Sequence, residues 1–231
     1  MSGYRKIIIV VVFTFLFLLS TLVAAALFIT WAIFDKNPTV LYTPHIPDIV
    51  VLNNIIQKIS SNLLNEETSQ QLIDPNILLV LELNEKEVNE IILSGIQTYI
   101  NSGENPQACE QLKNFRIKFK DGFFYADYSF LTNITSPFGS YINIHCVFVP
   151  ELSNDNINVN VSSLKIGALS MPSSKIDKFI RDAIKKEKNN KNVQLFLNSV
   201  KEIKVKDSKL LIKYSPSAAL NLILNQSNSA L

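Results

Sequence analysis

Residues 115–130 read FRIKFKDGFFYADYSF and contain the clearest secondary-structure signal in the sequence. Apolar residues alternate with basic ones before Asp121-Gly122, and apolar residues recur at every second position after that pair. Asp-Gly between two alternating runs is the strongest short-range signal for a two-residue β-hairpin turn. The stretch therefore predicts two antiparallel strands that turn one face toward a core.

Two further strands extend this antiparallel meander. The first places four side chains on one face, at Ile142, Ile144, Cys146 and Phe148. The second carries apolar residues at Ile157, Val159 and Val161, and again at Leu164 and Ile166. The apolar phase changes at Ser162-Ser163, so a β-bulge at the serine pair would keep both halves facing the core.

Helical and strand-like segments flank the meander. Apolar residues at helical spacing predict amphipathic helices at about 48–64, 85–101 and 176–184. Asn84 followed by Glu87 predicts an N-cap with a reciprocal acidic partner. The remaining predicted elements are a strand at 77–83, a short helix at 193–200, a second hairpin at 202–214 and a terminal helix at 216–224. The sequence thus predicts an α+β domain in which an antiparallel β-meander packs against amphipathic helices.

The N-terminal segment is the most apolar part of the chain. Residues 7–34 contain no charged side chain, and a helix needs about 20 apolar residues to cross a hydrocarbon layer of about 30 Å. Arg5 and Lys6 precede the run, so the positive-inside rule leaves the N-terminus in the cytoplasm. We expect a cytoplasmic tip at 1–6, a transmembrane signal-anchor at 7–34, a proline-containing tether at 35–47, an extracytoplasmic domain at 48–226 and a tail at 227–231.

A cleaved signal peptide is the alternative interpretation of this segment. Ala24-Ala25-Ala26 supplies the small residues of a cleavage site. However, the apolar part of a signal peptide covers about 7–15 residues, whereas this run continues to Phe34. The length favours an uncleaved single-pass anchor that holds the protein in the cell membrane.

Charge and motif content argue against several classes of function. The formal net charge is +2 over 231 residues, and nucleic-acid binding needs a concentrated basic surface. The six glycines are dispersed and form no phosphate-binding loop, so no nucleotide cofactor is expected. His45 and His145 have no spaced carboxylate or thiol partner for a metal, and no G-x-S-x-G motif is present. We expect no catalytic residues, no metal and no cofactor, and a hydrolase that depends on His145 is the least favoured class.

The two cysteines allow two interpretations. Cys109 and Cys146 both fall in the part of the chain expected outside the cytoplasm, where a disulfide is permitted. Cys146 also falls on the predicted core face of its strand, where a free thiol behaves as a small hydrophobe. The sequence leaves both interpretations open.

The meander carries a surplus of aromatic residues. Ordinary sheet packing accounts for such a surplus, and so does an apolar groove between sheet and helices that accepts a lipid chain. Phe123 and Tyr125 alternate out of phase with the predicted core face. On the second interpretation the ligand-binding residues are Phe123, Tyr125, Tyr128, Phe130 and Phe148.

Most of the chain from about residue 47 resembles a known family, through a short structural motif. Residues 136–139 (SPFG), the strand that follows, and residues 157–172 (INVNVSSLKIGALSMP) resemble the YpmS-like family of single-pass bacterial envelope proteins. The strand–helix unit LELNEKEVNEII at 81–92 is also similar to that family's first unit. The family's strand ends in a Leu-x-x-Gly-x-Leu-x-Leu-Pro pattern, whose positions are occupied here by Leu164, Gly167, Leu169, Met171 and Pro172.

The resemblance implies an extracytoplasmic domain with a structural corner at Gly167, Leu169 and Pro172, and it supplies no catalytic residue. Met171 departs from the family's pattern. More loosely, the corner is similar to that of exported phospholipid-binding proteins of the LmeA type, an analogy that favours lipid binding. We therefore expect a membrane-anchored domain that binds a lipid or another apolar envelope component without catalysis. The alternative is an envelope scaffold or assembly factor that binds a partner protein through an exposed apolar patch or an open sheet edge.

Overall fold

The structure is a computed structural model, and it describes residues 2–41, 48–64, 77–101, 114–153, 156–172 and 197–217, with residues 174–176, 178, 181, 182 and 194 between the last two ranges. Its helices are α1 (Ser2–Ile33), α2 (Ile49–Leu64) and α3 (Glu85–Asn101). Its strands are β1 (Phe34–Asp35), β2 (Leu79–Leu83), β3 (Phe115–Lys120), β4 (Phe123–Ser136), β5 (Gly139–Ser153), β6 (Asn156–Ile166), β7 (Leu169–Ser170), β8 (Val200–Lys206) and β9 (Lys209–Tyr214). Antiparallel sheets together with helices confirm the predicted α+β class.

The N-terminal helix α1 is long and apolar enough to cross a membrane, by length and composition, over Leu16–Ile33. Only 6% of this window is buried inside the protein. Apolar side chains such as Phe17 and Leu22 are exposed, and a helix that is apolar all round suits a lipid environment. The predicted N-terminal apolar helix is therefore confirmed, and its placement in a membrane belongs to the proposal below.

The larger sheet has the order β3-β4-β5-β6-β7, and β1 pairs with β5 as a sixth strand. Asp121 and Gly122 form the predicted turn between β3 and β4, and both have the positive φ angles that a type I′ turn needs. The register of β5 against β6 shifts between Val147↔Ser163 and Phe148↔Val161, which leaves Ser162 as an extra residue. The predicted bulge at the serine pair is confirmed.

The smaller sheet has the order β2-β9-β8 and is antiparallel throughout. The second predicted hairpin is confirmed, with its turn at Asp207 and Ser208. The strand predicted at 77–83 is also confirmed, but it pairs with β9, far along the chain. The meander and the second hairpin therefore belong to two sheets, because alternation identifies the faces of a strand and not its distant partner.

A common core joins both sheets with α2 and α3. At its centre Phe124 meets Phe119 edge-on, with ring centroids 5.1 Å apart, and stacks on Phe148 at 5.2 Å. Such aromatic pairs contribute beyond their buried area. The buried members of this core are Val51, Ile55, Leu83, Val88, Ile117, Phe119, Phe124 and Leu210.

Polar contacts fix the start of α3 as predicted. Asn84 Oδ1 accepts a hydrogen bond from the backbone N–H of Glu87 at 2.9 Å, and Glu87 Oε2 accepts one from the N–H of Asn84 at 2.8 Å. Glu87 is buried, and its Oε1 lies 2.6 Å from Lys58 Nζ on α2. The reciprocal cap is confirmed, and the same carboxylate ties α3 to α2.

Side chains of the two helices cover one edge of each sheet. Asn89 of α3 donates to the carbonyl of Ile117 and accepts from its N–H, both at 2.7 Å, in the place of a neighbouring strand. Asn62 of α2 donates to the carbonyl of Val80 on β2 at 2.9 Å. Uncovered edges are templates for strand addition, so the edges at β3 and β2 are protected against it.

The remaining predictions fall near the C-terminus or outside the described residues. Residues 174–176, 178, 181 and 182 are helical, as the predicted third helix requires. Residues 197–199 are helical too, although Val200 already begins β8. His45, Cys109, residues 42–47 of the predicted tether and the predicted tail lie outside the described residues.

Candidate functional site

The five aromatic residues proposed as a ligand-binding set lie on two faces of the larger sheet. Tyr128, Phe130 and Phe148 share the face of the core, since Phe148 stacks on Phe124 and the others follow it along β4 at every second position. Phe123 and Tyr125 lie on the opposite, outer face. A single apolar pocket cannot be lined by side chains from both faces of one sheet, so the five do not form one wall.

The environment of Tyr128 and Cys146 is that of a partly buried sheet face. Desolvation by burial raises the pKa of the Tyr128 hydroxyl, and it also raises the pKa of the Cys146 thiol. Cys146 is a free thiol, and a raised pKa makes a thiol less nucleophilic. This geometry supports the interpretation of Cys146 as a small hydrophobic side chain.

A row of ionisable side chains crosses the outer face of the larger sheet. Asp127 on β4 accepts from Arg116 at 3.2 Å and contacts His145 Nδ1 at 2.6 Å. Lys165 is the neighbour of His145 on β6. His145 thus lies on the face opposite to that of Ile144 and Cys146, and its carboxylate partner comes from a neighbouring strand whose register the sequence did not reveal. Among the described residues, no group of three or more His, Cys, Asp and Glu side chains could hold a metal ion.

The described part of the predicted tether lies against the sheet. Phe34 and Asp35 form β1 and pair with Ile142 and Tyr141 of β5. The backbone N–H of Val40 then donates to Ser129 Oγ at 3.0 Å, and Ser129 is completely buried. The chain that leaves α1 is therefore fixed to the domain over residues 34–40, instead of acting as a free spacer.

Asn143 is the polar centre of this contact. Its Oδ1 accepts from the N–H of Thr39 at 2.9 Å and from Ser129 Oγ at 2.7 Å. Its Nδ2 donates to Asp35 Oδ2 at 2.9 Å and to the carbonyl of Asn37 at 3.0 Å. Both lone pairs and both protons of the buried amide are used, so the position specifies an amide side chain.

Two glycines let the sheet approach the end of α1. A Cβ on Gly139, whose φ is +131°, would lie 1.9 Å from the carbonyl oxygen of Asp35. A Cβ on Gly167, whose φ is +58°, would lie 2.3 Å from the carbonyl oxygen of Ala32, and the next residue, Ala168, donates its N–H to that same oxygen at 2.7 Å. Both glycines are therefore required by close backbone approach as well as by their φ angles.

The predicted structural corner at Gly167 is thus the point where the domain contacts the end of α1. Leu169 follows the Gly167 turn and pairs with Ile166, and Met171 donates its N–H to the carbonyl of Leu164 at 2.9 Å. The carbonyl of Pro172 then accepts from Ile176 at 3.3 Å, at the start of the helical residues that follow. Gly167 contacts α1 directly. Leu169 continues the sheet after the turn, and Pro172 precedes the helical residues that follow.

A groove of about 790 Å³ opens at this junction between α1 and the domain. One part of its lining is apolar, and the other part is polar with one cation, Lys36. The apolar lining consists of Trp31, Ala32, Phe34, Pro137, Phe138 and Ala168. The polar lining consists of Asp35, Lys36, Asn37, Thr39 and Asn143. None of the five predicted aromatic residues lines this groove.

Sequence reasoning missed the residues that build the junction. Gly139 and Asn143 were visible only as parts of a turn and a strand, and Asp35 was placed in a tether. One signal was present: Ser129 and Asn143 are small or amide side chains on the outer face of strands that otherwise carry apolar, aromatic or charged residues there. That signal marks a place where another backbone approaches.

No protein-family model, no curated protein and no solved structure matches this chain. The similarity to the YpmS-like family therefore stays a prediction from the sequence.

Proposed function

We propose that this protein is a membrane-anchored domain that binds a lipid or a similar apolar envelope component at the junction groove. On this proposal α1 crosses the membrane with its N-terminus in the cytoplasm, and the domain lies on the extracytoplasmic side. Arg5 and Lys6 before the apolar run support that orientation. The proposal assigns no reaction to the site.

The observation that carries the proposal is the position and lining of the groove. Trp31 belongs to the last turn of α1, and 55% of its surface is exposed, so the groove begins where a membrane span ends. Tryptophan is enriched at that level of a bilayer. An apolar wall at Phe34 and Phe138 suits an acyl chain, and Lys36 beside it suits an anionic headgroup.

The fixed attachment of the domain strengthens this argument. Residues 34–40 hold the sheet against the end of α1 through β1 and through Ser129 and Asn143. The groove therefore keeps one position relative to the helix, next to the headgroups of the surrounding lipid. A free tether would allow the domain to move away from them.

The test is a measurement of bound lipid in the full chain. The protein is purified in a mild detergent, washed, and extracted, and lipid per protein is measured by mass spectrometry. We expect lipid in the wild-type chain and roughly tenfold less in Phe138→Ala, because the variant loses most of one aromatic wall.

The matched control is Tyr125→Ala, which removes an aromatic ring from the outer face away from the groove. We expect this variant to retain its lipid. A wild-type chain without lipid contradicts the proposal. Loss of lipid in Tyr125→Ala but not in Phe138→Ala would place the site on the outer face of the larger sheet, around Tyr125.

The second candidate function is a scaffold that binds a partner protein at β6. One edge of β6 pairs with β5 along its length. At its other edge β7 pairs only with Lys165 and Ile166, so the rest of that edge has no strand partner among the described residues. A photo-crosslinking side chain at the exposed position Asn158 tests this in intact cells, with exposed Lys118 on β3 as the control. A protein adduct at Asn158 alone supports the scaffold, and its absence removes it.

A further inference from the structure

The hairpin formed by β4 and β5 differs from the other hairpins in charge. Between Asp127 and Glu151 the sequence contains no Asp, Glu, Lys or Arg. The turn between β3 and β4 instead contains Asp121 and follows Lys120, and the turn between β8 and β9 lies in the sequence Lys206-Asp207-Ser208-Lys209. Charged side chains at a hairpin end keep it in water, so the uncharged hairpin lacks a feature that the others share.

The end of this hairpin, residues 130–140, also exposes several apolar side chains, together with the uncharged Asn133. We call these residues the hairpin tip. The exposed fraction is 59% for Ile134, 42% for Leu131 and 39% for Phe130. Pro137 at the turn is exposed as well. Several exposed apolar residues at one end of a hairpin favour a contact with a protein or with a membrane.

The position of the hairpin tip decides between these partners. Pro137 and Phe138 line the same groove as Trp31 at the end of α1. Gly139 packs against the backbone of Asp35, two residues after the apolar span ends at Ile33. The tip is thus held beside the point where α1 leaves the apolar layer, whatever occupies the groove.

We propose that the hairpin tip is a second membrane contact, with Ile134 and Leu131 inserted among the lipids next to α1. The inference rests on the proposed membrane crossing by α1, but it does not require a lipid in the groove, because neither Ile134 nor Leu131 lines it. An uncharged hairpin avoids the cost of bringing ionised groups into the interface. The tip and the helix together would restrict rotation of the domain on the membrane surface.

Tryptophan fluorescence in nanodiscs tests this contact, because the chain has a single tryptophan, Trp31. In the full chain, wild-type Trp31 reports the position of α1 through quenching by lipids that are brominated near the headgroup end of the acyl chain. In a Trp31→Phe background, Ile134→Trp reports the hairpin tip, and Lys206→Trp reports the charged hairpin as a matched control. Leu131→Trp is a second reporter on the tip, for use if Ile134→Trp does not fold by circular dichroism.

The expected result is a blue-shifted emission of Ile134→Trp and a loss of intensity comparable with that of wild-type Trp31. Lys206→Trp should show neither change. An unquenched, water-like emission at Ile134→Trp while wild-type Trp31 is quenched overturns the hairpin contact alone. This is also the result expected if the tip binds a partner protein that the nanodiscs do not contain. An unquenched wild-type Trp31 overturns the membrane crossing on which both proposals rest, whereas failure of lipid to co-purify affects only the groove.

Discussion

The two ends of the larger sheet are held to the rest of the molecule by different kinds of contact. At one end, which we call the core end, Phe119, Phe124 and Phe148 pack among apolar side chains of α2, α3 and the smaller sheet. At the other, the junction end, Asn143 and Gly167 hold residues 32–39 through hydrogen bonds and close backbone approach.

The two ends should therefore respond differently to substitution. Apolar burial depends mainly on area and volume, so the core end contributes most of the free energy of folding but tolerates side chains of similar size. The junction end buries less apolar area, yet it requires particular atoms in particular places. The core end should therefore govern stability, and the junction end should govern how the domain is attached to α1.

Phe124→Ala should have the largest effect on the free energy of unfolding, because it removes a central side chain of the core end. Phe124 is buried and contacts Phe119 and Phe148 with ring centroids 5.1 and 5.2 Å away. Removal of a buried phenyl ring leaves a cavity, and the expected loss is about 3–5 kcal/mol of unfolding free energy. Urea titration of the full chain in detergent, followed by circular dichroism, measures it.

The control for this substitution is Lys118→Ala, at an exposed position of β3. It should change the unfolding free energy by less than about 0.5 kcal/mol. A loss below about 1 kcal/mol in Phe124→Ala would mean that the aromatic cluster is not the main support of the fold.

Gly167→Ala should have an intermediate effect and act on the junction end. The new Cβ would lie 2.3 Å from the carbonyl oxygen of Ala32, so the hydrogen bond from Ala168 to that oxygen must be disturbed. We expect hydrogen exchange at the Ala168 amide to be at least about tenfold faster, which corresponds to about 1.4 kcal/mol. The urea midpoint of the full chain should move less than in Phe124→Ala.

Gly122→Ala is a close match for this experiment. Gly122 also has a positive φ, +83°, but a Cβ there would meet nothing within 4 Å. Both variants carry the roughly 1–2 kcal/mol cost of a left-handed alanine, and only Gly167→Ala carries the contact with Ala32. Equal effects on Ala168 exchange in the two variants would refute the claim that close approach of the helix end requires glycine at position 167.

Much of the core end could be predicted from the sequence because its signals are local. The Asp121-Gly122 turn, the bulge at Ser162 and the cap at Asn84 each depend on residues within a few positions of one another. Period-two alternation then identified which side chains face the core. The pairing of β2 with β9 was not predictable in this way. Alternation within a strand identifies its two faces, but it does not indicate which distant strand pairs with it.

The candidate site could not be predicted for a related reason. Asn143 contacts Asp35, Asn37 and Thr39 across more than a hundred residues of chain, and all three were assigned to a proline-containing tether with no contact to the sheet. Gly167 was recognised as part of a corner, but its partner Ala32 was assigned to the membrane helix. The aromatic surplus drew attention to the sheet faces, whereas the groove is lined by residues from the end of α1 and two turns.

Asn84→Ala should have the smallest effect on the free energy of unfolding. It tests whether the core end depends on specific polar contacts as the junction end does. Asn84 Oδ1 accepts the N–H of Glu87 at the start of α3. Loss of an N-cap costs about 1 kcal/mol, and Asn84→Ser should restore most of it because serine is an equally good cap. Urea titration of the full chain gives both values. If Asn84→Ala cost as much as Phe124→Ala, or if Asn84→Ser failed to recover stability, the core end too would depend on specific polar geometry, and the contrast between the two ends of the sheet would not hold.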